Sequence, residues 1–401
     1  MPSYKVSEID LIPKEWDAIF LSELFDFKNG LNKEKKFFGH GTPIINYMDV
    51  FCKSFINIDD IAGRVSVNSS ELIAYGVQKG DVFFTRTSET VEEIGIASVM
   101  LDEPQNTVFS GFVLRARSKN MRLDDKFKAY CFAPAYFRKQ IISQASYTTR
   151  ALTNGRCLSE TVLICPPLSE QITIVKALSD IDSLLATLDK IIAKKHNMKQ
   201  ATMEQLLSGM NRISNFKEDW EEKNLSDIAF ISKGTQLPSD KIDTYGNFPH
   251  YNGGVDPSSF TFQSNAPADT IVISEGGNSC GFVQFIAKPF WCGGHCYTIV
   301  PKLVHNEFLY HALKGRQTSI MGLRVGSGLP NVQKTALGLF KLIIPSNYAE
   351  QTEIANILSD MDEELFKLEV RRNKTKELKQ AMMQELLTGK TRLVNKELID
   401  A

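Results

Sequence analysis

One feature limits what this chain can fold into more than any other. Residues 170–212 align with residues 350–392 at a constant offset of 180, and 18 of the 43 positions are identical. The shared residues include Glu170-Gln171 with Glu350-Gln351, Leu178-Ser179-Asp180 with Leu358-Ser359-Asp360, and Lys199-Gln200-Ala201 with Lys379-Gln380-Ala381. Leu206-Leu207, Gly209 and Arg212 return as Leu386-Leu387, Gly389 and Arg392. Solenoid repeats have periods of about 20–50 residues, so this spacing means two large units in tandem. Their beginnings echo each other more weakly, with Trp16, Leu21, Ser22 and Gly30 matching Trp220, Leu225, Ser226 and Gly234. Between these anchors the two units share little.

The strong repeat is helical. Each copy follows an apolar, proline-ended run, Leu163-Ile164-Cys165-Pro166-Pro167 or Leu342-Ile343-Ile344-Pro345. Each then continues for about forty residues without Pro or Gly, up to Gly209 or Gly389, which suit helix C-terminal stops. Ile174, Leu178, Ile181, Leu185, Leu188 and Ile192 step by four and three, as do Ile354, Leu358, Met361, Leu365 and Leu368. That is a heptad seam, which packs one helix along another. Forty residues make a rod of about 60 Å. The plainer alternative is two amphipathic helices, each packed on its own domain; matching seams and lengths favour pairing. Antiparallel pairing would give an approximate two-fold axis. Lysines and arginines crowd the C-terminal halves (Lys190, Lys194, Lys195, Lys199; Arg371, Arg372, Lys374, Lys376, Lys379). They form either a solvated face favourable to the helix dipole or a contact for phosphate or an acidic partner.

Residues 13–162 and 216–341 mix short β-like runs, such as Asp81-Val82-Phe83-Phe84-Thr85 and Thr270-Ile271-Val272-Ile273-Ser274, with turn residues. A helical stretch from roughly Leu123 to Ala145 carries Phe127, Tyr130, Phe137 and Ile141 at helical spacing, which favours core residues over the alternative of an aromatic stacking platform. Each block reads as an α+β domain with long loops. Candidate binding groups lie at strand ends: Arg86, Thr87 and Ser88, with Arg115 and Arg117, in the first block. In the second they are Asn278 and Ser279, then Arg324 and Ser327 in a glycine-rich loop. Arginine and hydroxyl groups so placed can reach base edges or phosphates, although a surface turn would look the same.

Catalytic motifs are missing. Gly276 to Gly281 has the spacing of a phosphate loop, but Phe282 and Val283 stand where Lys and Ser/Thr are needed. Cys165-Pro166-Pro167-Leu168 lacks the amide or carboxylate and the aromatic of an amino-group methyltransferase motif. Cys280, Cys292, His295 and Cys296 have no second C-x-x-C pair, so buried cysteines are expected rather than zinc. The formal net charge is −1, from 46 Lys and Arg against 47 Asp and Glu. A free-standing, sequence-blind nucleic-acid binder usually carries a basic excess, so DNA contacts would be local or shared with partners. No apolar run reaches the length of a membrane span, and the start, Met1-Pro2-Ser3-Tyr4-Lys5, does not read as a signal peptide. Seven cysteines, an odd number, fit a reducing cytoplasm.

Taken together, these residues resemble the specificity subunits of type I restriction-modification systems. The carriers are Pro166-Pro167-Leu168-Ser169-Glu170-Gln171 and Glu350-Gln351 opening the long helices. Further carriers are the helix ends Met203-Glu204-Gln205-Leu206-Leu207-Ser208-Gly209 and Met383-Gln384-Glu385-Leu386-Leu387-Thr388-Gly389, and the starts Pro13-Lys14-Glu15-Trp16 and Phe216-Lys217-Glu218-Asp219-Trp220. One departure is that Pro345-Ser346 lacks the second proline. The resemblance implies an α+β chain of two mixed α/β target-recognition domains, 1–167 and 211–345. They would be separated by long spacer helices, 168–210 and 346–391, in an antiparallel, pseudo-two-fold coiled coil, with a tail at 392–401. It also implies a non-catalytic protein reading a bipartite site in double-stranded DNA. Two modification subunits would bring S-adenosylmethionine, and restriction subunits ATP and Mg; this chain itself would bind no cofactor. The competing reading is a coiled-coil scaffold with two protein- or glycan-binding domains. A self-sufficient nuclease or methyltransferase is a third, and it lacks motifs.

Overall fold

The computed structural model describes residues 4–393 except 8, 10, 52, 148, 149, 211, 214, 327 and 329. Packing divides the chain into two units, and the first takes both chain ends: Met1–Thr187 with Arg372–Ala401, against Leu188–Arg371. Both cuts fall inside the long helices, Leu168–Leu207 and Tyr348–Leu386.

In the first unit the antiparallel pair Asp17–Phe20 and Val162–Cys165 leads into the first long helix. A five-stranded sheet has the order Phe25–Asn29, Val113–Ser118, Val82–Thr85, Ala97–Met100, Phe55–Ile56. Val82–Thr85 is central, and all four of its residues are buried, as its apolar, β-favouring sequence requires. A three-stranded sheet follows the order Val108–Phe109, Phe38–Ile45, Arg64–Val65. The expected helix from Leu123 to Ala145 is broken into a turn at Phe127–Ala129 and a helix at Ala135–Ser143. Pro134 stands at the start of the second piece, where its missing amide costs nothing. Phe127, Tyr130, Phe137 and Ile141 are nonetheless buried in the core, with Trp16, Phe84 and Leu114.

The second unit repeats this frame. Trp220–Asn224 pairs with Lys341–Pro345. The larger sheet runs Ala229–Lys233, Cys296–Pro301, Thr270–Ser274, Val283–Ile286, and the smaller Trp291–Cys292, Phe248–Tyr251, Ser259–Thr261. The strand order matches the first unit's, without its fifth strand at Phe55–Ile56. So the blocks that share little sequence share a topology.

Each unit also builds the same helix junction. In the first, the start of the first long helix meets the end of the second: Trp16 Nε1 donates to Glu170 Oε2 at 2.8 Å, and Arg392 grips both Glu170 oxygens at 2.7 and 2.8 Å. In the second unit, Trp220 Nε1 donates to Glu350 Oε1 at 3.4 Å, and Arg212 grips Glu350 at 3.1 and 2.7 Å. A planar guanidinium matches a carboxylate two bonds at a time, which fixes geometry as well as charge. The helices stop at Gly209 and Gly389, both at φ +72°, where a residue with a Cβ would be strained.

The pairing of helices is antiparallel within each unit. In the second, as the first helix advances from Lys195 to Lys199 and on to Arg212, the partner steps back from Glu364 to Asp362 to Glu350. In the first, Asp182 meets Lys379 at 2.5 Å and Glu170 meets Arg392. The seam residues divide. Ile174 and Leu178 are buried in the first unit's core with Leu386 and Leu387, and Ile354 and Leu358 in the second unit's core with Met203. Leu188, Ile192 and Leu365 are buried further along the helices, while Ile181, Leu185, Met361 and Leu368 are half-buried. The first positions of each seam therefore clamp a helix to a domain. Domain packing and helix pairing, posed above as alternatives, coexist.

Candidate nucleic-acid interface

In each unit one candidate loop leaves the C-terminal end of the central strand. In the first, Val82–Thr85 runs into Arg86. The Arg86 amide donates to Phe112 O at 3.1 Å, and its carbonyl accepts from Thr153 N at 3.0 Å. In the second, Thr270–Ser274 runs into Glu275, whose amide donates to His295 O at 2.8 Å and whose carbonyl accepts from Val332 N at 2.8 Å. Thr85 pairs with Val113, and Ser274 with Cys296. Arg86 is thus the structural equivalent of Glu275, and Phe112 of His295.

The glycine echo now has a cause. A Cβ on Gly30 would stand 2.1 Å from Ser110 O, and one on Gly234 would stand 2.3 Å from Gly293 O. Only glycine lets the strand pass this close to the loop that carries Phe112 or His295.

The expected contact residues separate into three groups. Arg86, half-exposed, lines a polar cleft with Asn29, Lys119, Asn154 and Arg156, and its Nη1 reaches Gly111 O at 3.4 Å. Thr87 is half-exposed, and Asn278 and Arg324 are exposed. The two loops of the second unit are laced together: Gly277 N donates to Pro330 O at 3.1 Å, and Val325 exchanges backbone bonds with Asn331 at 2.8 and 3.0 Å. Ser88 and Ser279 form the second group, with hydroxyls already engaged. Ser88 donates to Glu93 Oε2 at 2.6 Å, and Ser279 to the Gly253 carbonyl. Ser327 lies outside the described residues.

Arg115 and Arg117 are the third group, and here the structure corrects the sequence reading. Arg115 is 7% exposed, lies 5.3 Å over the Phe109 ring and donates to Gly76 O at 2.7 Å. Burial pulls its guanidinium pKa downward. Arg117 forms a bidentate pair with Asp81 at 2.8 and 2.6 Å and also reaches Gly76 O at 2.9 Å. Both side chains tie their strand to the turn at 76–81; Arg115 is buried there, while the Arg117 side chain keeps 30% exposure. Alternation along a strand put two arginines on one face, and sequence did not reveal that this face was covered.

The sequence reading did not single out Phe112, Tyr47 or Lys233, and weighed His295 only as a possible zinc ligand. Tyr47 and Phe112 line a cleft with Thr87, Ser88, Glu89, Glu93 and Arg150. Lys233 Nζ and Tyr297 OH both donate to Glu275 Oε1, at 2.7 and 2.8 Å. A signal was present: Ser110-Gly111-Phe112-Val113 and Gly293-Gly294-His295-Cys296 both place a ring between glycine and a strand.

Cys280, Cys292 and Cys296 are buried. Among the described residues no group of three or more His, Cys, Asp or Glu is arranged to hold a metal ion, and no helix is long and apolar enough to cross a membrane. His250 and His311 are also buried. His250 Nδ1 lies 2.8 Å from Ser259 Oγ, and burial lowers its pKa.

Similarity to known proteins agrees with this architecture. The family described as Type I restriction modification DNA specificity domain matches residues 13–194 and again 217–380. A putative type I specificity subunit of Mycoplasma genitalium is 33% identical over 150 residues, 37% of this chain and 39% of that protein. The match therefore spans about two fifths of that relative. A putative type I restriction enzyme specificity subunit of Methanocaldococcus jannaschii is 24% identical over 98% of this chain and 97% of its own. The crystal structure of a type I restriction-modification S subunit from M. genitalium shares the fold, with a TM-score of 0.64 at 19% identity, covering 96% of this chain and 98% of that one. With two matched copies covering most of its length, a doubled frame and a clasp at each helix junction, this chain belongs to the family of type I restriction-modification DNA specificity proteins.

Proposed function

We propose that the chain is the specificity subunit of a type I restriction-modification complex and reads double-stranded DNA in two halves, one per unit. The observation that carries this reading is the doubled frame. Two copies of one topology offer loops at the same place with different side chains, as Arg86 against Glu275 and Phe112 against His295. A shared scaffold with divergent loops is what two different half-sites require, because specificity lies in base contacts made from a fixed frame.

In this reading the chain is not itself an enzyme and binds no cofactor. Two modification subunits carry S-adenosylmethionine and methylate adenine, restriction subunits carry ATP and Mg, and the complex works in the cytoplasm. Arg86, Thr87, Asn278 and Arg324 are the DNA-facing residues retained from the sequence. The test replaces residues 216–341 with the matching block of a relative and maps methylated adenines. One half of the target should change and the other stay; a change in both halves would defeat the modular reading. Arg86→Ala and Arg324→Ala should each weaken binding. A base-reading arginine would cost about 1–3 kcal/mol with relaxed choice at one position, and a phosphate-holding one would lower the salt slope by about one. Salt-independent or absent DNA binding by the assembled complex would favour the scaffold alternative.

A further inference from the structure

Phe112 and His295 occupy the same backbone position in two units that otherwise share little sequence. Each sits one residue before the strand that pairs with the central strand, and the carbonyl of each accepts from the amide of the residue that follows that central strand. The flanking backbone is held from several sides. Leu31 N donates to Phe109 O at 2.9 Å and Gly111 N to Leu31 O at 2.9 Å. In the second unit Thr235 N donates to Cys292 O at 2.9 Å, and His295 N donates to Asn252 Oδ1 at 3.1 Å.

The rings on this fixed backbone point outward. Phe112 is 60% exposed, and the His295 side chain is 63% exposed. Exposure alone does not mark Phe112, since Phe230, Phe262 and Phe366 are also more than half exposed; what marks it is a free ring on backbone held from several sides, at a position that both units share. It is the arrangement that direct readout needs, since a reading side chain must be held in place before its ligand arrives. The surroundings differ. Phe112 stands beside Tyr47, Thr87 and the carboxylates Glu89 and Glu93. His295 has its Nδ1 4.0 Å from Glu275 Oε2, near Lys233.

Resting on the proposed reading of DNA in two halves, we infer that Phe112 and His295 are twin specificity residues, one for each half-site. Phe112 makes the apolar contact to the C5-methyl group of a thymine. His295 donates an imidazole N–H to a purine edge at N7 or O6, the acceptors that the major groove displays. The twin position explains why the two halves can differ while the scaffold does not: one ring is changed and its support is kept.

The test uses the assembled complex with its modification subunits and the wild-type methylation target, scanned one base at a time. Deoxyuridine in place of the thymine read by Phe112 should weaken wild-type binding about tenfold, and the same substitution should add nothing to Phe112→Ala. A 7-deazapurine, which lacks N7, or 2-aminopurine in place of guanine, which lacks O6, at one position in the other half should behave likewise toward His295→Ala. Each variant should relax choice at one position of one half-site, leave the other half unchanged and keep the wild-type salt slope. Both rings are exposed, so equal thermal melting of wild type and variants verifies that folding is intact. If wild type is selective and both variants keep its full selectivity, or lose binding equally on every sequence, the ring assignment is overturned and the function stands. If the wild-type complex shows no sequence-selective binding at all, the underlying function fails with it.

Discussion

The two helix junctions are one design executed at two tightnesses. In the first unit Trp16 is fully buried, its indole N–H lies 2.8 Å from Glu170, and the Arg392 side chain is 12% exposed. In the second unit Trp220 is half-buried, its N–H lies 3.4 Å from Glu350, and the Arg212 side chain is 26% exposed. Supporting bonds repeat as well. Gln171 Nε2 donates to Pro166 O and Gln351 Nε2 to Pro345 O, both at 2.8 Å. Their carbonyl oxygens accept from Asp124 N and His305 N, again both at 2.8 Å. Each unit thus borrows the end of one long helix to close over the start of the other. The contrast lies at the loops, where Arg86 and Phe112 become Glu275 and His295. Residues that hold the frame repeat, and residues that face outward diverge.

The sharpest way to break this symmetry is to remove the clasp. Glu170→Ala leaves the Trp16 N–H without its partner and the Arg392 charge with only the exposed carboxylate of Glu15, 2.9 Å away, and losing one member of a buried pair costs roughly 3–4 kcal/mol. Denaturant melting should show that loss for Glu170→Ala and a smaller one for Glu350→Ala, whose arginine is better solvated. Equal losses would mean that the difference in geometry carries no energetic weight.

Next come the seam residues. Leu178 and Leu358 are fully buried in their own units' cores, and truncating either to alanine should cost about 3 kcal/mol. Leu185→Ala, at a half-buried position, should cost clearly less. If Leu185→Ala proved as damaging as Leu178→Ala, helix pairing rather than domain clamping would dominate the seam.

A third difference appears below neutral pH. His305 and Asp124 are equivalent helix starts, so His311, six residues on, occupies the place of Tyr130. Tyr130 OH donates to Asp182 Oδ2 at 2.8 Å, and burial raises its pKa further from the working range. His311 Nε2 lies 3.0 Å from Ser359 Oγ, and burial pushes its pKa down to about 4. Between the unfolded value near 6.5 and about 4, the unfolded chain binds a proton that the folded unit refuses. Stability from this group is therefore complete above pH 6.5 and falls as pH drops toward 4, by about 3 kcal/mol in all. His311→Gln should flatten that part of the second unit's pH profile, followed by hydrogen exchange of the amides at Asn306–Gly315. An unchanged profile would show that other groups set the acid sensitivity.

Much of the frame was legible in sequence because it is repeated. Trp16, Glu170, Gly389 and Arg392 all have identical partners 180 or 204 residues away, as Trp220, Glu350, Gly209 and Arg212 show. What sequence could not show is the exchange: Arg212 follows the first helix yet serves the second helix's glutamate. Alignment gives equivalence, whereas contact depends on the direction in which the helices pack. The loops were less legible for a different reason. Arg115 and Arg117 carry the chemistry of DNA contacts, but Arg115 is buried and Arg117 is engaged with Asp81 and Gly76 of the turn at 76–81. Phe112 carries no mark in its residue type, yet it is 60% exposed. Residue type indicates what a side chain can do, and only the packing around it decides whether that chemistry reaches solvent.

The smallest expected effect tests the helix pairing itself. Asp182–Lys379 and Asp362–Lys199 are repeat equivalents, one in each unit, and each joins the two long helices. Their side chains keep between 14% and 42% exposure, so solvent screens both pairs and each should contribute less than about 1 kcal/mol. They are not equal, however. Asp182 also accepts the Tyr130 hydroxyl, which fixes its carboxylate before the lysine arrives. A carboxylate already held in place loses less side-chain entropy on pairing. Double-mutant cycles with Asp→Asn and Lys→Met in each unit should give a larger coupling for Asp182–Lys379 than for Asp362–Lys199. Adding Tyr130→Phe should bring the first value down to the second. Raising the salt concentration should shrink both couplings, because these pairs are near solvent. If the two cycles agree before Tyr130 is changed, the phenol does not organise the bridge, and the units pair their helices with equal strength despite their different cores.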